Sequence, residues 1–403
     1  MSILSSKRIV LGVTGSIAAY KAADLASKLT QAGAQVDVIL SSAAEKFVTP
    51  LTFQSVTGRR AYVDKDLWGN EAHVLHVGLG HAADLMIIAP CTANTIARLA
   101  HGQAETLLTV TALATRSPLL IAPAMDGGMY DHPATQENIE TLKKRGVTFI
   151  GPAEGHLASG LSGVGRMLET SEIIGYIRIL LGKNGRLAGK KIVVTAGGTQ
   201  ETLDPVRVIT NRSSGRQGYA LAQTALDMGA QVTLITTPTS LVPPAGACVI
   251  HVETARQMLE AVLKESAKSD ALIMAAAVAD FRPKNRARDK IKKESGIPQI
   301  ELEGTEDILK TVAAQRSGRN RPRLVVGFAA ESRDLLENAT HKLKSKGLDF
   351  IAANDISAND AGFAVETNRV TLLFADGHQE VLPLMSKTEV AEVILERVAK
   401  LLE

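Results

Sequence analysis

Two lysines set four residues apart, Lys342 and Lys346, share one face of a helical stretch. Upstream, Asp280 closes the small-residue run Ala275-Ala276-Ala-Val-Ala. Cations on one face neutralise phosphates, and a carboxylate can hold Mg²⁺ against them. Small residues let a nucleotide approach the backbone. Asp289-Lys290-Ile-Lys-Lys and Gly327-Phe328-Ala-Ala-Glu lie between these elements. Asn211-Arg-Ser213-Ser214-Gly215 opens a helix, whose free N–H groups and positive dipole end suit the phosphate of a substrate. Taken singly, such charge runs are solvated faces. Their concurrence is what suggests a site.

The N-terminal half offers groups of another kind. Gly15-Ser16-Ile17 ends a strand and opens an amphipathic helix, a geometry that cradles phosphate. Thr92-Ala93-Asn94-Thr95 follows an apolar run at 85–89 and places hydroxyls and an amide at a strand's carboxyl end; a helix cap is the plain alternative. Pro123-Ala-Met-Asp126 follows a second such run. Residues 155–167 (Gly-His-Leu-Ala-Ser159-Gly-Leu-Ser-Gly-Val-Gly-Arg-Met) hold too little apolar content for core and read as a mobile flap. His76, alone in His-Val-Gly-Leu-Gly, has a structural reading as well as a catalytic one.

Elements must position these groups, and an imperfect internal repeat says how. Lys7-Arg-Ile-Val-Leu-Gly-Val-Thr-Gly-Ser and Lys190-Lys-Ile-Val-Val-Thr-Ala-Gly-Gly-Thr open two copies, which continue as Gly33-Ala-Gln-Val and Gly229-Ala-Gln-Val. Each is strand, glycine turn, helix, strand: the βαβ unit of a parallel sheet. The opening lysine precedes the second strand by 26 residues in one copy and by 39 in the other. The excess falls near 200–215, at a strand's carboxyl end where open α/β sheets bind ligands. A plain dinucleotide turn, G-x-G-x-x-G, fits this badly, which argues against an NAD-binding redox protein. Further strands are expected at 119–122, 147–150, 271–276, 323–327 and 350–353. The fold expected is α/β: two doubly wound, Rossmann-like parallel-sheet domains, 1–186 and 187–403, the first flavodoxin-like.

Bulk properties agree. The 403 residues exceed one ordinary core; 45% are hydrophobic and 22% charged, as in a globular protein. A net charge of +3 suggests neither nucleic-acid nor membrane partners. No apolar run reaches the 18 or so residues of a membrane span, and the N-terminus is not a signal peptide. Cys91 and Cys248 form no metal spacing, so a reducing cytoplasm is expected.

The C-terminal segments Leu203-Asp-Pro-Val-Arg, Asn211-Arg-Ser-Ser-Gly, Ala276-Ala-Val-Ala-Asp, Lys290-Ile-Lys-Lys, Val326-Gly-Phe-Ala-Ala-Glu and Ala353-Asn-Asp-Ile-Ser resemble phosphopantothenate–cysteine ligases of coenzyme A biosynthesis. That resemblance implies CTP as co-substrate with Mg²⁺, and ligation through an acyl-cytidylate. It puts the nucleotide at Met274, Ala275, Ala276, Asp280, Lys290, Glu306, Asp307, Ile308, Leu309, Phe328, Lys342 and Lys346, with the metal on Asp280. Lys290 then serves the first step and Asn211 the amine attack.

The N-terminal segments, in their order, resemble flavin-dependent phosphopantothenoylcysteine decarboxylases. This implies FMN held by Gly15, Ser16, Ile17, Ser41, Thr92, Ala93, Asn94 and Thr95, with His76 catalytic. The flavin oxidises the cysteinyl side chain so that the neighbouring carboxylate leaves as CO₂. Two positions depart from the family pattern: Asp126 stands for an asparagine, and Ser159 for a proton-donating cysteine. They motivate an alternative, a ligase whose flavin domain is inactive or altered. The resemblance further implies homo-oligomers, with a trimeric flavin domain and a dimeric ligase domain.

Overall fold

The computed structural model describes residues 3–68, 74–157, 160, 162–292, 298–319, 321–331, 334–355 and 367–403. Contacts divide the chain into two compact units, Met1–Leu181 and Gly182–Glu403.

In the first unit β1 (Arg8–Val13), β2 (Gln35–Leu40), β3 (Ala61–Val63), β4 (Leu85–Cys91), β5 (Leu119–Pro123) and β6 (Thr148–Phe149) pair in parallel, in the order β3-β2-β1-β4-β5-β6. Without the three-residue edge strand β3, this is the flavodoxin order. Helices α1 (Ala19–Gln31), α2 (Pro50–Thr57), α3 (Leu75–Ala82), α4 (Ala93–Ala100), α5 (Leu107–Ala114), α6 (Gly127–Asp131), α7 (Pro133–Lys144) and α8 (Thr170–Gly182) accompany the sheet. Strand β1 is apolar from Ile9 onward because both its faces are covered. Ile9 and Leu11 pack in one cluster with Leu25 and Leu29 of α1, while Val10 packs in another with Leu107 and Leu108 of α5.

The stretch expected as a mobile flap contains most of an antiparallel hairpin, β7 (Ala153–His156) and β8 (Ser162–Arg166). Glycine permits it to lie flat on its neighbour: a Cβ on Gly165 would come within 2.2 Å of the Met125 carbonyl. Ser159 lies outside the described residues.

The second unit holds β9 (Lys191–Ala196), β10 (Gln200–Thr202), β11 (Val208–Thr210), α9 (Arg216–Asp227), β12 (Gln231–Thr236), β13 (Cys248–His251), α10 (Ala255–Ser266), β14 (Ala271–Met274), β15 (Phe281–Pro283) and β16 (Leu302–Gly304). It continues with α11 (Ile308–Arg319), β17 (Leu324–Glu331), α12 (Leu335–Ser345), β18 (Phe350–Asp355), β19 (Thr367–Asn368), β20 (Val370–Phe374), β21 (Gln379–Val381), β22 (Met385–Ser386) and α13 (Lys387–Leu402). Its main sheet runs β13-β12-β9-β14-β17-β18-β20-β21. Strands β20 and β21 join antiparallel, a departure from the all-parallel expectation. Residues 375–378 return the chain directly from β20 to β21, a connection that needs no crossover helix. The polar insertion after β9 is a small hairpin, β10–β11, rather than a plain loop.

The two units repeat one device at the amino edge of their sheets. Asp84 accepts from the Arg8 N–H at 2.8 Å, and Asp270 from the Lys191 N–H at 2.9 Å. Each aspartate precedes one strand and caps the first strand of its unit. Among the described residues no helix is long and apolar enough to cross a membrane.

Candidate active sites

In the second unit chain order reverses between β9 and β14, the point where open sheets leave a crevice at their carboxyl edge. Gly197, at φ +87°, turns the chain out of β9, and the Ala277 N–H donates to its carbonyl at 2.8 Å. Asn211 returns across the gap, its Nδ2 donating to the carbonyl of Val278 at 3.0 Å. Helix α9 follows Gly215, its N-cap at φ +76°, which has no side chain to cap it, and its first turn lines the crevice. Gly218 lets α9 sit close to β9, since a Cβ there would lie 2.8 Å from the Thr195 carbonyl.

These elements enclose a cleft of about 560 Å³. Asn211, Ser213, Ser214, Gly215, Met274, Ala275, Ala276, Asp280, Glu306, Asp307, Ile308, Leu309, Phe328, Lys342 and Lys346 all line it. Asp280 is exposed at its mouth. Lys346 reaches Asp307 at 3.6 Å, and Asp307 also accepts from the Lys310 N–H in the first turn of α11. Among the described residues no three His, Cys, Asp or Glu side chains converge on a metal. A Mg²⁺ ion here fits only as magnesium usually binds beside phosphates, through one carboxylate and the ligand's own oxygens.

Lys290 is not among the lining residues. It is exposed on a segment tied down by the Leu203-Asp-Pro-Val-Arg motif. Asp204, whose side chain is buried, takes two bonds from the Arg207 guanidinium at 2.9 and 2.6 Å and one from the Ile291 N–H at 3.1 Å. Arg207 also donates to the Ile291 carbonyl at 3.0 Å. The Arg207 guanidinium, assisted by backbone N–H groups, holds the Asp204 carboxyl far below the usual carboxylate range. The tether fixes the backbone next to Lys290.

In the first unit the reversal lies between β1 and β4. Thr14 bridges the two strands: its hydroxyl donates to the Pro90 carbonyl at 2.8 Å and accepts from the Thr92 N–H at 3.0 Å. Thr92 caps α4, accepting from the Thr95 N–H at 3.4 Å, while Ala93 is half-buried and Asn94 exposed. Gly15 sits so close to the turn after β2 that a Cβ would lie 2.4 Å from the Ala43 Cβ. Ser16 accepts from the Ala18 N–H, and Ser41 from the Ala44 N–H, both at 3.3 Å. Ile17 is 59% exposed, an apolar side chain left at the edge of the turn. Asp126 caps α6, accepting from the Gly128 N–H at 3.0 Å, and β8 lies over it through the Met125 N–H to Gly165 carbonyl bond. His76 is half-buried in the first turn of α3; among the described residues no hydrogen bond joins it to the other candidates. Cys91, fully buried, has its thiol pushed far up by desolvation and is no nucleophile.

Two family models match the chain: one described as "Flavoprotein" over residues 2–182, and one described as "DNA/pantothenate metabolism flavoprotein C-terminal domain" over residues 187–402. The coenzyme A biosynthesis bifunctional protein CoaBC of Bacillus subtilis (strain 168) is 46% identical over 402 residues, covering 99% of this chain and 98% of that protein. The chain belongs to the family of coenzyme A biosynthesis bifunctional proteins. The family's member from Mycobacterium tuberculosis (strain ATCC 25618 / H37Rv) is 44% identical over 408 residues, covering 98% and 97%. A crystal structure of the C-terminal domain of a CoaBC protein is 42% identical, covers 54% of this chain and 98% of its own, and has a TM-score of 0.46. Because full-length relatives match both halves, the two-activity reading is favoured over the ligase-only alternative.

The cleft of this family member also holds residues to which motif reading gave no role, although Asn354 lies within the segment Ala353-Asn-Asp-Ile-Ser. Gln217, Asn354, Asn368 and Lys387 line it, the last three no more than 9% exposed. They come from four distant places in the chain, and only the topology brings them together.

Proposed function

We propose that the chain performs two steps of coenzyme A biosynthesis, CTP-dependent joining of 4′-phosphopantothenate to cysteine and FMN-dependent decarboxylation of the 4′-phosphopantothenoylcysteine formed. The ligase is assigned to 187–403 and the decarboxylase to 1–186. The gathering of Asn211, Asp280, Lys342 and Lys346 around one cleft at a switch point carries the reading.

In the ligase step, the substrate carboxylate attacks the α-phosphorus of CTP and pyrophosphate leaves. The cysteine amine then attacks the acyl-cytidylate, giving the amide and CMP. Lys342 and Lys346 spread positive charge along the phosphates as negative charge builds on the leaving group. Asp280 would hold Mg²⁺ against them. Ser213, Ser214 and Gly215 line the part of the cleft assigned to the substrate's phosphate, and Asn211, anchored on the Val278 carbonyl, borders the reacting centre. Lys290 keeps its part in the first step from its tethered segment.

In the flavin domain Gly15, Ser16, Ile17 and Ser41 surround a helix start fit for the FMN phosphate, and Thr92, Ala93, Asn94 and Thr95 border the rest. The flavin, when bound, supplies the two-electron chemistry that labilises the carboxylate. Asp126 and the hairpin over it would position that carboxylate and exclude water, and His76 and Ser159 are assigned catalytic parts in the same reaction. A cytoplasmic homo-oligomer, trimeric through the flavin domain and dimeric through the ligase domain, with neither nucleic-acid nor membrane partners, completes the proposal.

The test is Lys290→Ala in the full chain, supplied with phosphopantothenate, CTP and Mg²⁺. Loss of pyrophosphate release with flavin content unchanged is expected. Undiminished release contradicts the assigned role.

A further inference from the structure

One wall of the ligase cleft is a chain of side-chain amides whose direction is fixed at one end. The backbone carbonyl of Lys387 can only accept, and it accepts from Gln217 Nε2 at 3.0 Å. Gln217 must therefore turn its Oε1 the other way, where it accepts from Asn368 Nδ2 at 2.9 Å. The Asn368 Oδ1 in turn faces Asn354 Nδ2 at 3.4 Å. Each amide spends its donor on the one before it. The relay ends on Asn354 Oδ1, which is buried and has no partner among the described residues. Asn354 is 9% exposed and lines the cleft.

A buried acceptor without a donor carries a desolvation penalty, so a ligand that donates there is favoured and one presenting only acceptors is rejected. Ionised phosphates and carboxylates are acceptors only. Base amino groups and hydroxyls donate. The sheet decides between these. Asn354 pairs with Ala330 across β17 and β18, and Phe328 lies two residues before Ala330. Side chains two apart on a strand, and those paired across strands, share a face. Phe328, which also lines the cleft, therefore projects on the same side as Asn354. A flat base laid against the Phe328 ring brings its edge, not its phosphates, towards Asn354.

We propose that Asn354 Oδ1 accepts a hydrogen bond from the exocyclic amino group of the nucleotide's base, and that Gln217 and Asn368 are positioning residues holding that oxygen towards it. The inference rests on the cleft's being the nucleotide site. It makes the site select amino-bearing bases over those carrying a carbonyl or hydrogen at the same place. Sites built to bind a polar group discriminate strongly against analogues that lack it.

Equilibrium binding to the full chain decides the matter, using CTP, its 4-deamino analogue, UTP and 2′-deoxy-CTP. Wild type is expected to bind CTP at least about tenfold more tightly than the 4-deamino analogue or UTP. Asn354→Ala is expected to bind CTP and the deamino analogue equally. Asn354→Asp, which still accepts, keeps a preference for CTP even if overall affinity falls. Thermal melts establish that each variant is folded, and the affinity ratio reports recognition rather than stability. Equal wild-type binding of CTP and the deamino analogue overturns the proposal, as does an Asn354→Ala variant that weakens both alike. An Asn354→Ala variant that instead loses only its discrimination against 2′-deoxy-CTP places a ribose hydroxyl there and also overturns it. Wild type that binds no CTP overturns the nucleotide-site reading itself, an outcome distinct from the others.

Discussion

At the scale of residues, charge placement is what the account can be tested on. Lys346 has 27% of its side chain exposed and Asp307 3.6 Å away as its protein counter-charge. A hydrogen bond to a charged group contributes about 1.5–3 kcal/mol, so Lys346→Ala is expected to weaken CTP binding by roughly 10- to 100-fold. Titration calorimetry measures it, and an unchanged affinity removes Lys346 from the phosphate site. Asp126 makes an opposite prediction. Asparagine caps helices as well as aspartate, so Asp126→Asn leaves stability within a few tenths of a kcal/mol. It also removes a charge that, about 4 Å from a substrate carboxylate at an effective dielectric of 20, costs about 4 kcal/mol. CO₂ release from phosphopantothenoylcysteine should therefore quicken; a slower variant would mean that Asp126 serves the reaction as a carboxyl. Most residues in these arguments were legible as motifs, because nucleotide and phosphate sites demand particular groups at strand ends. The amide relay was not. Gln217, Asn354, Asn368 and Lys387 acquire meaning only once α9, β18, β19 and α13 are neighbours.

At the scale of elements, the repeated βαβ unit was readable because apolar runs such as 85–89 and 271–274 are buried on both faces. Hairpins were less readable. Strands β7 and β8 are glycine-rich, and β10, β11, β15 and β16 span three residues each, too short for a period-2 pattern to register. Two element-level predictions follow from contact geometry. Gly218→Ala sets a Cβ 2.8 Å from the Thr195 carbonyl and must lift α9 from β9, costing about 1–3 kcal/mol in denaturant melts and weakening nucleotide binding. A variant as stable and as tight as wild type would show that the close packing is not needed. Asp204→Asn loosens the Lys290 segment, so pyrophosphate release should fall while flavin stays bound. The depressed native pKa of Asp204 fixes the pH dependence. Its stabilisation is fully present above the ordinary aspartate value of 3.8 and is lost as pH falls below that towards the native value. The stability gap between wild type and Asp204→Asn should stay flat from pH 7 down to about 4 and close only below it; a gap closing near neutrality would refute the assignment.

At the scale of the whole molecule, two compact units each carry a sheet whose central strands are parallel, apolar clusters on both its faces and a crevice at its switch point. Residues 7–11 and 190–194 are alike in sequence and in surroundings: Asp84 in one unit and Asp270 in the other accepts a backbone N–H at the start of the first strand. Divergence sits at the opposite edge, where one unit keeps a short turn and the other grows the β10–β11 hairpin and the Asp204 tether. Two chemistries thus fall to two variants of one architecture. The direct measurement is to supply the purified full chain with phosphopantothenate, cysteine, CTP and Mg²⁺ and to follow pyrophosphate and CO₂ separately. Both should appear, and in equal final amounts, from a protein that carries bound FMN. Pyrophosphate without CO₂, or neither product, would contradict it.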